Sequence, residues 1–314
     1  MKYRQLGNTG LSLTEVGYGA ASLFGKDVIG KQGVSEEKAY ELFCTALVNG
    51  IRFFDTGINY GYAEERLGRC ISKAIDEKLI ARNELIIESK CGETINPDGS
   101  FGPSDWSPDW IEKSLDISLK RLNLEYLDLY ALHGTCNKDE LRSLIPLIER
   151  LKAQNLIKAF GVNSFDTNFL QWLADEKCVD YVMLDYSILR QDREPLIETL
   201  VNAGIGVIAG SAMGESLYSK KIFRVKNRND LWYLARALVR FKDLFKKSND
   251  FKFLNDCSDF TANQLALRYV LDNQNISAAV FGTINTEHLI ENIAAVNIEM
   301  PADIRDRIKK VHKD

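Results

Sequence analysis

The chain has 314 residues, 45% hydrophobic and 27% charged, with a formal net charge of −4. This is an ordinary globular composition, and a chain of this length can bury about 75% of the surface its unfolded form exposes. Mild acidity argues against a nucleic-acid partner, because KKIFRVKNR (220–228) is too short and mixed to form a basic stripe. No run approaches the ~18 apolar residues of a membrane span, and MKYRQLGNTG (1–10) lacks the apolar core of a signal peptide. Six cysteines, at 44, 70, 91, 136, 178 and 257, show no CxxC spacing, so no metal site or disulfide framework is expected and a reducing cytoplasm is.

In chain order, KYRQLGNTGLSLT (2–14) reads as a hairpin around a Gly-Asn turn. Strands and helices then alternate. Strand-like runs cover 15–20, 52–56, 85–90, 127–132, 157–163, 181–186, 206–211 and 277–282. Helical patterns cover 35–49, 63–78, 108–121, 138–153, 166–175, 192–203, 261–272 and 286–295, with a last one at 301–311. The stretch 91–107 reads as a long polar-aromatic loop, and 212–258 as an insertion with a helix at 230–241. Within it, LWYLARALVRFKDLF (231–245) is an aromatic-rich amphipathic stretch that reads as packing. The strands lack period-2 alternation, as parallel strands buried on both faces do, and the helices between them are the crossovers that parallel pairing requires. The pattern predicts one α/β domain over 1–314: a (β/α)8 TIM barrel with an N-terminal β-hairpin and large loops on its C-terminal face. A doubly wound sheet is the rival, but GYGAAS (17–22) is not its GxGxxG phosphate turn.

Three apolar runs end on reactive groups. Asp55 closes IRFFDT (51–56), Lys90 closes ELIIESK (84–90) and His133 closes LDLYALH (127–133); Tyr60 follows Asp55 by a short loop, in DTGINYG (55–61). In a parallel barrel all strand ends open on one face, where the chemistry sits. An acid, a phenol, an amine and an imidazole gathered there make a proton-transfer device, with Tyr60 as the acid or base. Each has another reading alone: Asp55 as a helix cap, Tyr60 as rim packing, Lys90 as a solvated strand end or Schiff-base lysine, His133 as a packed rim residue.

NGIRFFDTGINYGYAEERLG (49–68), ELIIESK, LDLYALH, GVNSF (161–165) and FGTINTEHLIEN (281–292) together resemble the aldo-keto reductase superfamily, in that family's order and over nearly the whole chain. The resemblance implies NAD(P)-dependent interconversion of a carbonyl and an alcohol, with the tetrad roles falling on Asp55, Tyr60, Lys90 and His133. A free Tyr, with a pKa of about 10, is a poor acid at neutral pH, and a nearby Lys would lower it. His133 would donate to the substrate oxygen.

The resemblance also places a cofactor. Gly19 and Ala20 lie at the first strand end. Asn163 and Ser164 stand, in swapped order, where the family holds the carboxamide. Met183 stands where it has a Gln, and Gly210 where many members stack a Tyr; Tyr186 is a candidate to compensate. Ser211, Met213 and Gly214, with Gly282 and Thr283, are expected along the pyrophosphate, and Glu291 and Asn292 at adenine. At the 2′-phosphate position stand Gly282, Thr283 and His288, not Lys or Arg, and Glu287 and Glu291 add negative charge, so NAD(H) is favoured over NADP(H). Phe24, Phe101 and Trp106 are expected to frame the substrate, a small carbonyl compound or sugar. An aldose dehydrogenase is one reading; a reductase of a modified-sugar keto group, or a cofactor-binding redox sensor with little turnover, are the others.

Overall fold

The structure, a computed structural model, describes residues 1–21, 34–96, 100–218 and 242–311. Phe24 and the expected helix at 230–241 lie outside them. The strands are β1 (Tyr3–Gln5), β2 (Ser12–Thr14), β3 (Val16–Gly19), β4 (Phe53–Asp55), β5 (Ile86–Cys91), β6 (Glu93–Ile95), β7 (Phe101–Ser104), β8 (Leu127–His133), β9 (Ile157–Asn163), β10 (Tyr181–Asp185), β11 (Gly206–Gly210) and β12 (Ala278–Phe281). The α-helices are α1 (Glu36–Val48), α2 (Ala63–Asp76), α3 (Pro108–Leu122), α4 (Lys138–Ala153), α5 (Thr167–Glu176), α6 (Glu194–Asn202), α7 (Lys242–Ser248), α8 (Ala262–Asp272), α9 (Thr286–Ile293) and α10 (Ala302–Val311).

Eight parallel strands close a barrel in the order β3, β4, β5, β8, β9, β10, β11, β12 and back to β3. Alternate residues of each strand serve two cores. Phe53, Leu129, Tyr181, Met183 and Ile208 pack inside the barrel, while Phe54, Ile87, Tyr130, Val182 and Val207 meet the helices outside. This double burial is why the strands read as unbroken apolar runs. The crossover helices start where local caps dictate. Ser107 accepts from the Trp110 amide ahead of Pro108, and Asn137 and Glu140 form a reciprocal capping box.

The β1–β2 hairpin plugs the N-terminal end of the barrel. Leu6 and Leu13 join the interior cluster, the Asn8 amide donates to the Gly204 carbonyl at 3.0 Å, and Ser277 Oγ donates to the Gln5 carbonyl at 2.8 Å. Gly7 makes this seat possible, since it has a positive φ of 51° and a Cβ there would lie 2.4 Å from the Gly206 nitrogen. The chemistry is thereby left to the opposite face. Part of the insertion returns to the barrel wall. Phe251, Phe253 and Leu254 form a second cluster with Leu217, Tyr218, Leu265 and Met300, and Leu244 and Phe245 pack against it.

The stretch 91–107 differs from its reading as a loop. It carries a two-stranded antiparallel hairpin, β6–β7, with a register shift between Glu93 and Ile95. The bulged, short strands have no alternation to read, although Asn-Pro-Asp-Gly at 96–99 is a turn signal. This hairpin covers part of the mouth. Among the described residues no helix is long and apolar enough to cross a membrane.

Candidate active site

Asp55 is the last residue of β4, Lys90 the penultimate residue of β5 and His133 the last of β8, while Tyr60 sits in the loop after β4. The barrel brings all four together. Lys90 is buried, 1% exposed; its ammonium contacts Asp55 Oδ1 and donates to the Thr56 carbonyl at 3.1 Å. The Tyr60 hydroxyl lies 3.3 Å from His133 Nε2, and the rings meet edge to face with centroids 5.4 Å apart. Lys90 Nζ lies 5.5 Å from the Tyr60 ring centre.

The electrostatics differ from the sequence expectation. Burial raises the Tyr60 phenol above its ordinary range, and the carboxylates of Glu88 and Glu93 raise it further. Lys90 does not reverse this, because among the described residues its hydrogen bonds go to Asp55 and Thr56. Burial in turn pulls the ammonium down to about 7, opposed by Glu93. Tyr60 is thus held as a neutral phenol, the form that gives up a proton.

A family model described as the aldo/keto reductase family matches residues 15–313. This chain is an aldo/keto reductase family member. It is 29% identical over 312 residues to the L-galactose dehydrogenase of Arabidopsis thaliana, covering 94% of this chain and 88% of that one. It is 27% identical over 304 residues to an uncharacterized oxidoreductase of Bacillus subtilis, YqkF, covering 95% and 92%. Among solved structures it matches the holo form of the aldo-keto reductase AKR11C1 of Bacillus halodurans, with a TM-score of 0.79, 26% identity and coverage of 99% and 96%. Family membership makes the chain an oxidoreductase of a class that uses NAD(P)(H) in general.

The reductase places the expected cofactor residues unevenly. Asn163 ends β9, and its side-chain amide donates to the Met183 carbonyl at 3.1 Å. The Ser164 hydroxyl is 2.6 Å from Thr135 Oγ1 and accepts from the Asp166 amide, so it braces the loop. Met183 fills the space that Gly210 leaves, and a Cβ on Gly210 would meet its Cγ at 3.2 Å. Tyr186 does not face the mouth. It packs in the outer core, its hydroxyl donates to Glu194 at 2.9 Å, and its ring lies beside Tyr269. One residue past the end of β10, side-chain direction no longer follows the strand's alternation, which is why the pattern misplaced it.

At the other end the fit to a dinucleotide is better. Asn292 is 2% exposed, and its Oδ1 is buried with no hydrogen-bond partner among the described residues, an acceptor suited to an amino group such as adenine's. Its neighbour Glu291 accepts from Gln264 Nε2 through its backbone carbonyl at 2.9 Å. Ser211, Met213 and Gly214 lie in a tight turn after β11, closed by the Gly214 amide on the Ser211 carbonyl at 2.8 Å. Ser211 and Gly214 line a cleft of about 760 Å³ together with Arg190, Arg193, Lys242 and Lys247. These cations come from two separate segments, so no motif announced them. Gly19 pairs with Asp55 across β3 and β4, and the Ala20 amide donates to the Asp55 carbonyl at 2.8 Å. The Thr283 carbonyl accepts from Tyr18 Oη at 2.5 Å, Gly282 is exposed beside it, and the His288 amide donates to the Asn285 cap at 3.0 Å. Lys38 on α1 reaches the start of α9, 2.6 Å from Thr286 Oγ1, and is also paired with Glu41 at 2.9 Å. This cation at the last loop was not legible, because it comes from the first helix.

Trp106 lies over the strand ends. A Cβ on Gly92 would strike its ring at 2.2 Å, and one on Gly134 would touch it at 3.5 Å. Phe101 begins β7 opposite Ile95. Three residues at the site were not read from the sequence. Asn59 Nδ2 donates to Glu93 Oε1 at 2.8 Å, and that oxygen lies 3.4 Å from His133 Nδ1. Glu88 points into the barrel two residues before Lys90, is fully buried, and accepts from Tyr181 Oη at 3.0 Å. The only signal for it was a carboxylate following an apolar run, on the same face of the strand as the lysine.

Burial pushes the Glu88 carboxyl up to about 8, opposed by the Tyr181 hydrogen bond. An acid with a raised folded-state pKa binds more protons folded than unfolded. Its stabilisation is complete below the ordinary carboxylate range and is lost as pH rises to about 8. Glu88→Gln, which stays neutral, should therefore gain on the parent protein progressively up to about pH 8 and then hold a constant lead. Thermal midpoints of both proteins across that range test this; parallel curves would contradict it.

Proposed function

We propose that this protein is a Tyr-dependent carbonyl–alcohol oxidoreductase acting on a small aldehyde, ketone or sugar, with an aldose dehydrogenase as the favoured form. The observation that carries the reading is the Tyr60 hydroxyl, 3.3 Å from His133 Nε2, beside the buried Asp55–Lys90 pair at the barrel mouth. Interconverting a carbonyl and an alcohol moves a hydride at carbon and a proton at oxygen, and a bound nicotinamide supplies the hydride chemistry. Tyr60 handles the proton at the substrate oxygen. Asp55 holds Lys90 in place beside the Tyr60 ring. The Asn163 side chain and the buried Asn292 oxygen would hold the two ends of the cofactor, and the 211–217 turn its middle. Trp106 offers an aromatic wall for the apolar face of a sugar ring or for a hydrophobic aldehyde. Similarity to an L-galactose dehydrogenase supports the sugar reading. A panel of aldoses, aldehydes and keto-sugars, followed at the reduced-nicotinamide absorbance band, tests it. Tight cofactor binding without turnover on any of them would instead favour the redox sensor.

NAD(H) is the favoured cofactor. The segment 282–292 has no Lys or Arg and carries Glu287 and Glu291. Lys38 reaches that segment already paired with Glu41, which leaves a 2′-phosphate weakly compensated. The kcat/KM with NADH should therefore exceed that with NADPH, and a strong NADPH preference would overturn the assignment. We also read the protein as cytoplasmic, as one domain, and with a small-molecule carbonyl or sugar as its substrate.

A further inference from the structure

Among the buried polar atoms at the site that have no hydrogen-bond partner among the described residues are His133 Nδ1 and Glu93 Oε2. They belong to groups already in ion-pair range, with His133 Nδ1 3.4 Å from Glu93 Oε1. Neither atom has access to water, so each lacks any nearer way to be satisfied. Asn59 fixes the carboxylate from the other side through its 2.8 Å hydrogen bond. The sequence separation of the pair, from β6 to the end of β8, hides it from any local motif.

We propose that Glu93 is a positioning residue for the reaction, accepting the Nδ1 proton of His133 so that Nε2 is presented as the acceptor for the Tyr60 hydroxyl. This rests on the oxidoreductase reading given above and goes beyond it. A carboxylate on one ring nitrogen selects the tautomer that carries the proton there, and the other nitrogen is then a base. Among the described residues the hydrogen-bond partner of Tyr60 Oη is His133 Nε2, while Lys90 is engaged with Asp55 and Thr56. The Tyr60 proton therefore leaves through the imidazole and not through the lysine. When an alcohol is oxidised by hydride loss to an oxidised nicotinamide, its hydroxyl proton passes to Tyr60 Oη as the Tyr60 proton passes to His133 Nε2. The O–H bond breaks, the C=O bond forms, and the new imidazolium faces the Glu93 carboxylate. In carbonyl reduction the same proton returns along the same path. His133 thus acts as acceptor and proton store, where the family resemblance alone made it a donor to substrate. Among the described residues Tyr60 faces His133, and Glu93 acts electrostatically on Tyr60, Lys90 and Cys91.

The test uses 15N-labelled full-length protein, which contains three histidines, with His133→Asn to assign the ring signals. The parent protein should show His133 protonated at Nδ1. Glu93→Leu should move the proton to Nε2 and lower kcat by roughly 10- to 100-fold, with cofactor Kd unchanged. Glu93→Asp should restore the Nδ1 proton and part of the rate. Should Glu93→Leu fail to fold, the isosteric Glu93→Gln carries the test, with an increased Nε2-protonated fraction expected. An unchanged tautomer in the variant that folds overturns the proposal. The tautomer needs no substrate, so absence of turnover in the parent protein would sink the functional reading and leave this result standing.

Discussion

Tyr60→Phe is expected to lower kcat by about 10²- to 10⁴-fold, the usual range for losing a positioned general acid or base, while cofactor binding stays at the parent level. The substitution removes only the hydroxyl. The ring keeps its edge-to-face contact with His133 and its place beside Lys90, so the mouth should hold its shape. The lost atom is the one 3.3 Å from His133 Nε2, the group through which a proton reaches the substrate oxygen. The loss should appear in both directions, because the same hydroxyl gives the proton in carbonyl reduction and takes it in alcohol oxidation. Cofactor titration by fluorescence quenching, paired with steady-state turnover, separates the two effects. Turnover near the parent rate would remove Tyr60 from the reaction.

Lys90→Met is expected to cost about 3–5 kcal/mol of stability, the range for leaving a buried charge without its partner. Lys90 is 1% exposed and its ammonium is in contact with Asp55, itself buried. Without it, Asp55 keeps a buried carboxylate at the end of β4 and loses the ammonium in contact with it. Met fills much of the space, so the loss reports charge and not cavity. The double variant Asp55→Asn, Lys90→Met should recover most of the stability but not the activity, since neither charge is then stranded. Urea unfolding of the two variants and the parent measures this. A single variant that unfolds at the parent midpoint would show that the pair does not hold the mouth together.

The positions of these residues were largely legible before any coordinates. Strand ends in a parallel barrel share one face, so an acid, a lysine and a histidine that each close an apolar run must meet there. The runs β4, β5 and β8 end within one residue of where the patterns place them, and β9 and α4 match to the residue. Legibility failed where the chain leaves regular structure. Tyr186 lies one residue beyond β10, where the strand no longer dictates direction, and its hydroxyl goes to Glu194 between the helices. The β6–β7 hairpin was read as loop because its strands are short and bulged.

The sequence by itself determined the barrel, its order of elements and the tetrad, because hydrophobic periodicity and strand termini are local properties that one face of a closed sheet turns into proximity. Only the tertiary structure decided what surrounds that tetrad. Glu93 meets His133, Glu88 meets Tyr181 across the barrel interior, and Lys38 meets Thr286 from the opposite end of the chain. Each of these contacts joins segments far apart in sequence. Their distances follow from barrel closure and from where the loops return, and no local spacing encodes them.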